Sequence, residues 1–263
     1  MIAQVTLATA ILFAAGAGLM TLAERARHAD AARVRADWIK YGVYVLVIAA
    51  MLGAGAWDRR VAAALLAAVA IGGALELRGN LAGRVRRPDA LAALFCAVAC
   101  GSLAHLVIGP AANSGVTAGV IGEAKMGAPW FPAYALAILL VATTDSFSQL
   151  WGRLLGRHRL CPKLSPGKTR EGLAGGLGTA VIVALAMGFL APGLAPWARV
   201  ALGLATAAGA VAGDLAFSWI KRQLGIKDFS SSLPGHGGLL DRFDSLLVAA
   251  PVYTWTRWLL AGS

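Results

Sequence analysis

Eight long apolar runs alternate with short polar intervals along this chain, at roughly 4–23, 41–57, 61–75, 90–109, 130–144, 172–194, 200–213 and 245–261. Runs of this kind predict membrane-crossing helices, although several fall short of the ~20 residues that an untilted span needs. The glycines within them suit close helix packing. The first run has no basic residue before it, unlike a cleaved secretory leader, so it is expected to be a retained span. The prediction is an all-α, polytopic integral membrane protein of about eight transmembrane helices. N-terminal helices over 1–129 and a C-terminal catalytic half over 130–263 would form one continuous membrane domain.

Composition agrees: 58% of residues are hydrophobic, 14% are charged and mean hydropathy is +0.68, outside the range of soluble globular chains. A net charge of +11 would suit nucleic acid, but in a chain of spans it has a simpler source. The intervals after runs 1, 3, 5 and 7 hold five, four, six and four lysines and arginines, or 19 of the chain's 24. Basic residues gather in cytoplasmic loops, facing anionic headgroups. These four intervals are therefore expected on the cytoplasmic side with both termini outside, and no nucleic-acid partner is expected. Two of them, 24–40 and 76–89, look like ordinary solvated faces. Cys96, Cys100 and Cys161 have neither CxxC nor Cys/His spacing and read as small apolar residues.

Chemistry concentrates late in the chain. Between Gly213 and Ser245 stand four aspartates, four basic residues and a Pro-Gly-His-Gly-Gly turn. Asp145 and Asp214 lie at the inner ends of spans, where an ionised side chain is costly unless it faces a polar cavity. Asp241 and Asp244 are three residues apart and share one face if helical. Hard carboxylate oxygens suit magnesium, which keeps water and substrate phosphates as its other ligands; helix capping and pairing with Arg242 would also account for these two acids. Gly237 and Gly238 would let backbone amides approach an anion, with His236 as a donor beside them. A second cluster, Ser165 to Gly172, contains Gly-Lys-Thr. It is not a P-loop, because Pro162 stands where that motif requires glycine and no strand is expected before it. A Ser/Lys/Thr cluster opening a helix still offers hydroxyl, ammonium and amide donors to phosphate.

The run Ser218-x-x-Lys221-Arg222-x4-Lys227-Asp228-x5-Pro234-Gly235-His236-Gly237-Gly238-x2-Asp241-Arg242-x-Asp244 resembles the signature of the phosphatidate cytidylyltransferases, the CDP-diacylglycerol synthases. Asp145-x6-Gly152-Arg153-x2-Gly156 and Ser165-Pro166-x-Lys168-Thr169-x-Glu171-Gly172 resemble two further segments of that family, in the same order. The resemblance covers roughly 140–250. Gln149 and Arg170 depart from the family's usual residues.

The resemblance implies that a phosphatidate oxygen attacks the α-phosphorus of CTP, releasing pyrophosphate. It implies magnesium on Asp214 and Asp241, supported by Asp244 and Asp145, with room for a second cation. Lys168, Lys221, Arg222 and Lys227 would balance phosphate charge, while Ser165, Thr169, Ser218, Arg153, His236, Gly237 and Gly238 would bind substrate. Expected partners are CTP, phosphatidate or a related phosphate lipid, and membrane lipids, with a homodimer allowed. The expected location is a bacterial inner membrane with the site facing the cytoplasm. Alternatives are a CTP-dependent enzyme for another phosphate lipid or a polyprenol, and an ion-coupled transporter. Asp241→Asn is expected to abolish turnover while leaving the fold intact.

Overall fold

The computed structural model describes residues 1–26, 30–85, 87–112, 130–230 and 237–261. Among them are eight α-helices: α1 (Ile2–Ala26), α2 (Ala31–Trp57), α3 (Arg59–Leu81), α4 (Pro88–Ala112), α5 (Phe131–Leu155), α6 (Arg170–Ala186), α7 (Pro196–Gln223) and α8 (Leu240–Ala261). The all-α, polytopic class expected from the apolar runs is therefore observed.

Most helices outrun the apolar stretches that predicted them. The 28 residues of α7 span about 42 Å at 1.5 Å per residue, well beyond a hydrocarbon core of about 30 Å. Backbone hydrogen bonding continues through the polar ends, so α2 starts ten residues before its apolar run and α5 continues through Asp145 to Leu155. Helix α6 goes the other way. It stops at Ala186, and a 3₁₀ turn over Gly188–Leu190 followed by Pro192 replaces the expected last turns. Among the described residues, five helices, α1, α2, α3, α5 and α7, are both long and apolar enough to cross a bilayer.

The helices differ in what covers them. Along α5, every residue from Ala133 to Thr144 is buried, and α5 touches α1, α2, α4, α6, α7 and α8. It is the axis of the bundle. Helices α1 and α2 instead turn Leu7, Ile11, Leu22, Leu46 and Trp57 outward, the face that lipid would cover. Tyr134 of α5 is fully buried, yet its hydroxyl is satisfied by the Met51 carbonyl of α2 at 3.0 Å. Such a bond removes the cost of a stranded polar group.

Close approach between helices positions the polar residues. A Cβ at Gly176 would run into the Ser148 side chain, which locks α6 against α5. A Cβ at Gly213 would lie 2.6 Å from the Asp244 carbonyl; its absence lets α7 and α8 bring Asp214 and Asp244 together.

Between α5 and α6 runs a short antiparallel hairpin, β1 (Arg159–Cys161) and β2 (Ser165–Thr169), pairing Arg159 with Thr169 and Cys161 with Ser165. The expectation that no strand precedes Ser165 is thus corrected. Pro162 and Lys163 fit the turn of a hairpin, and the Gly167-Lys168-Thr169 stretch lies within β2 rather than in a phosphate-cradling loop.

Candidate active site

The hairpin and the α7–α8 junction meet through charge. Lys168 of β2 reaches Asp214 of α7, Nζ to Oδ2 at 2.5 Å. Arg222, at the end of α7, donates to the Leu164 carbonyl in the hairpin and to the Ile226 carbonyl beyond its own helix. Arg222 is exposed and ties two loops together, while Lys168 places a cation at a carboxylate.

A second cation is held more tightly. Lys221 Nζ lies 2.7 Å from Asp241 Oδ1, 3.9 Å from Asp244 Oδ2 and 5.5 Å from the centre of the Phe229 ring. Asp241 Oδ2 accepts the Phe229 and Gly238 amides at 2.8 and 2.9 Å. Both oxygens of Asp241 are therefore engaged. The glycines expected to admit an anion here approach the protein's own carboxylate: Gly237 has φ +77°, and Gly238 carries its amide to Asp241. A residue with a Cβ is strained at that φ.

Asp244 and Asp145 complete the cluster. Asp244 Oδ1 accepts the Ser245 amide at 2.7 Å. Asp145 of α5 lies near Ser245, Asp214, Lys168 and Arg242. Asp145, Asp214 and Asp244 repel one another. Ser218 donates to Asp214 Oδ1 at 3.3 Å, one turn along α7. Pairing of Asp241 and Asp244 with Arg242 was one sequence-level account; the structure brings Lys221 to both carboxylates.

Several predicted binders have structural partners. Thr169 is the N-cap of α6, its hydroxyl accepting the Gly172 amide at 3.1 Å. Glu171 in the same turn accepts the Arg157 and His158 amides and bonds His158 Nδ1 at 2.6 Å. The His158 bond, followed by backbone donors, lowers the Glu171 pKa to about 2. Ser165 begins β2, half-buried, and Lys227 is exposed beyond α7. Arg153 forms a bidentate pair with Asp37 of α2, at 2.8 and 3.3 Å. His236 lies outside the described residues.

Asp37 corrects the reading of 24–40 as a plain solvated face, and 76–89 needs the same correction. Glu76 of α3 accepts the Ser230 hydroxyl and the Leu239 and Leu240 amides, while Asn80 donates to the Phe229 carbonyl. The signal for Glu76 was present in the chain. Like Asp145 and Asp214, it sits at the end of an apolar run.

For magnesium, the chemistry of the donors fits: mutually repelling carboxylates with hard oxygens, balanced at present by lysine ammonium groups. Among the described residues, no group of three His, Cys, Asp or Glu side chains is placed to hold an ion by itself. Oxygens from substrate and water would complete such a shell.

Fold and cluster together define a helical membrane protein with a polar cluster of lysines and carboxylates where the hairpin, α7 and α8 meet. The chain belongs to the cytidylyltransferase family, whose pattern matches residues 1–260. It is 46% identical over 121 residues to the uncharacterized protein YnbB of Escherichia coli strain K12, covering 45% of this chain and 41% of that protein. It is 43% identical over 117 residues to a phosphatidate cytidylyltransferase of Staphylococcus saprophyticus, covering 44% and 45%. With the phosphatidate cytidylyltransferase of Haemophilus influenzae it shares 42% over 122 residues, covering 44% and 42%. The matched part spans less than half the length of each of these relatives.

Proposed function

We propose that the protein is a CTP:phosphatidate cytidylyltransferase, making CDP-diacylglycerol and pyrophosphate. The observation that carries this reading is the meeting of Lys168–Asp214 with Lys221–Asp241–Asp244, built from segments that resemble the family's signatures.

The reaction joins two anions, so its main obstacle is charge. A phosphatidate oxygen forms a bond to the α-phosphorus of CTP as the bond to the bridging oxygen breaks, and pyrophosphate leaves with that electron pair. The attacking phosphate is already ionised at neutral pH, so no general base is required. Lys168 and Lys221 supply positive charge where the phosphates would lie, and fixed charges in a site of low water content act strongly. Asp145, Asp214 and Asp244 would hold magnesium, with Asp241, expected as a principal ligand but engaged by Lys221 and two amides, alongside. When bound, the ion would offset negative charge on carboxylates and phosphates alike. Lys168–Asp214, the more open pair, is the one that incoming phosphate or cation can separate; Arg222, which reaches the hairpin, brings further positive charge there, while the charge of Arg153 is met by Asp37. The loops carrying these groups are the basic ones, so we place the site on the cytoplasmic face of a bacterial inner membrane, where CTP is found.

Purified protein in detergent, given magnesium, phosphatidate and CTP labelled at the α-phosphate, should form labelled CDP-diacylglycerol and release pyrophosphate. Product from another phosphate-terminated lipid alone would move the assignment to that lipid. No product from any of them would sink the reading.

A further inference from the structure

Helix α3 carries Gly72, Glu76 and Asn80 at intervals of four, so the three share one face. That face meets the described residues on either side of 231–236. Asn80 Nδ2 donates to the Phe229 carbonyl at 2.6 Å on one side. On the other, Glu76 Oε1 accepts the Leu239 amide at 2.8 Å and Oε2 the Leu240 amide at 2.9 Å. Ser230 closes the arrangement by donating its hydroxyl to Glu76 Oε1 at 2.7 Å. Small residues make room: a Cβ at Gly238 would lie 2.5 Å from Glu76 Oε2, and one at Gly72 would lie 2.5 Å from Leu239 Cδ2.

The Leu239 and Leu240 amides stand at the start of α8, where helical geometry provides no carbonyl partner. A capping side chain usually comes from the same segment. Here it comes from a helix more than 160 residues earlier in the chain, and the next residue after Leu240 is Asp241. Asp241 in turn must keep Lys221 and the Phe229 and Gly238 amides in place. A shift in the first turn of α8 would disturb all of these bonds.

We propose that Glu76, assisted by Asn80, is a positioning residue for the reaction: it sets the start of α8 and thereby the carboxylates around Lys221. The proposal rests on the cytidylyl-transfer reading of the site. It makes α3 part of the working unit, with no contact between Glu76 and substrate.

The test uses full-length Glu76→Gln, with Ser230→Ala and Asn80→Ala as milder variants. Glutamine keeps the size of the side chain but turns one acceptor into a donor facing an amide. Losing charge-assisted bonds of this kind lowers kcat by about 10- to 100-fold, and KM for phosphatidate should stay within about 2-fold of the parent. Ser230→Ala and Asn80→Ala should each lower kcat by about 3- to 10-fold. Independently of activity, hydrogen exchange should rise in peptides covering Phe229–Ser230 and Gly238–Leu240, with α5 and α6 unchanged. Parental kcat in Glu76→Gln overturns the proposal. So does a loss of activity that follows only the fraction of folded protein, or unchanged exchange at these peptides. An inactive parent would instead defeat the proposed function, and the exchange measurement would still decide whether Glu76 holds α8.

Discussion

Lys168–Asp214 and Lys221–Asp241 are both short ammonium–carboxylate pairs, at 2.5 and 2.7 Å. Their side chains are 24% and 31% exposed in the first pair but only 12% and 3% in the second. Asp214 has one neighbouring hydroxyl donor, from Ser218, whereas Asp241 holds two backbone amides as well as its lysine. A pair that water reaches is worth little to stability and opens easily. A buried pair whose remaining acceptors are filled is costly to break, because the surviving charge is stranded. The site thus has a more open half on the hairpin side and a more buried, more fully bonded half on the α7–α8 side. This modifies the sequence-level expectation for Asp241→Asn, since Asp241 holds Lys221 and two backbone amides besides its proposed place in the reaction.

The largest effect is expected from Asp241→Asn. Turnover should fall by a thousandfold or so, and stability by about 3–5 kcal/mol, the scale for breaking one partner of a buried pair. Thermal unfolding in detergent checks the second part; an unchanged midpoint would erase the distinction between the two halves. Asp214→Asn is the matching experiment on the open side. It should lower kcat by about 100-fold or more while stability changes by less than about 1 kcal/mol. A large loss of stability here would show that the hairpin side is as fixed as the other.

Lys168→Met should act chiefly on substrate, raising KM for CTP by about 10-fold, the scale of one charge-assisted contact. Steady-state kinetics at low and high salt will show whether this contact is screened as an open one must be. The smallest effect concerns Glu171, which secures the end of the hairpin that carries Lys168. Its pKa is lowered from 4.5 to about 2 by the His158 bond and by backbone donors. Its contribution to stability is therefore fully present above about pH 4.5 and is lost as pH falls toward 2. The difference in melting temperature between the parent and Glu171→Gln should be constant near neutrality and shrink through that window. A constant difference down to pH 2 would contradict the assigned role.

Much of this arrangement was legible in the linear chain. Hydrophobic runs revealed the helices because a bilayer leaves a backbone few alternatives to internal hydrogen bonding. Asp145 and Asp214 were conspicuous as acids at the ends of such runs, and the separation of three between Asp241 and Asp244 placed them on one face. Glu76 and Asp37 carried the same signal but stood in basic segments that resemble any headgroup-facing loop. The hairpin was hidden because a strand of three residues leaves almost no periodicity to read.

From sequence alone came the class of protein, the family resemblance and the kinds of donor available for phosphate. These depend on side-chain chemistry and on local regularities of a few residues. Tertiary structure decided which lysine faces which carboxylate, which pair water reaches, and that α3 holds the first turn of α8. Those outcomes depend on distances between segments as many as 164 residues apart. Close approaches at Gly176, Gly213 and Gly238 set them, and a glycine in a sequence does not show which neighbour it admits.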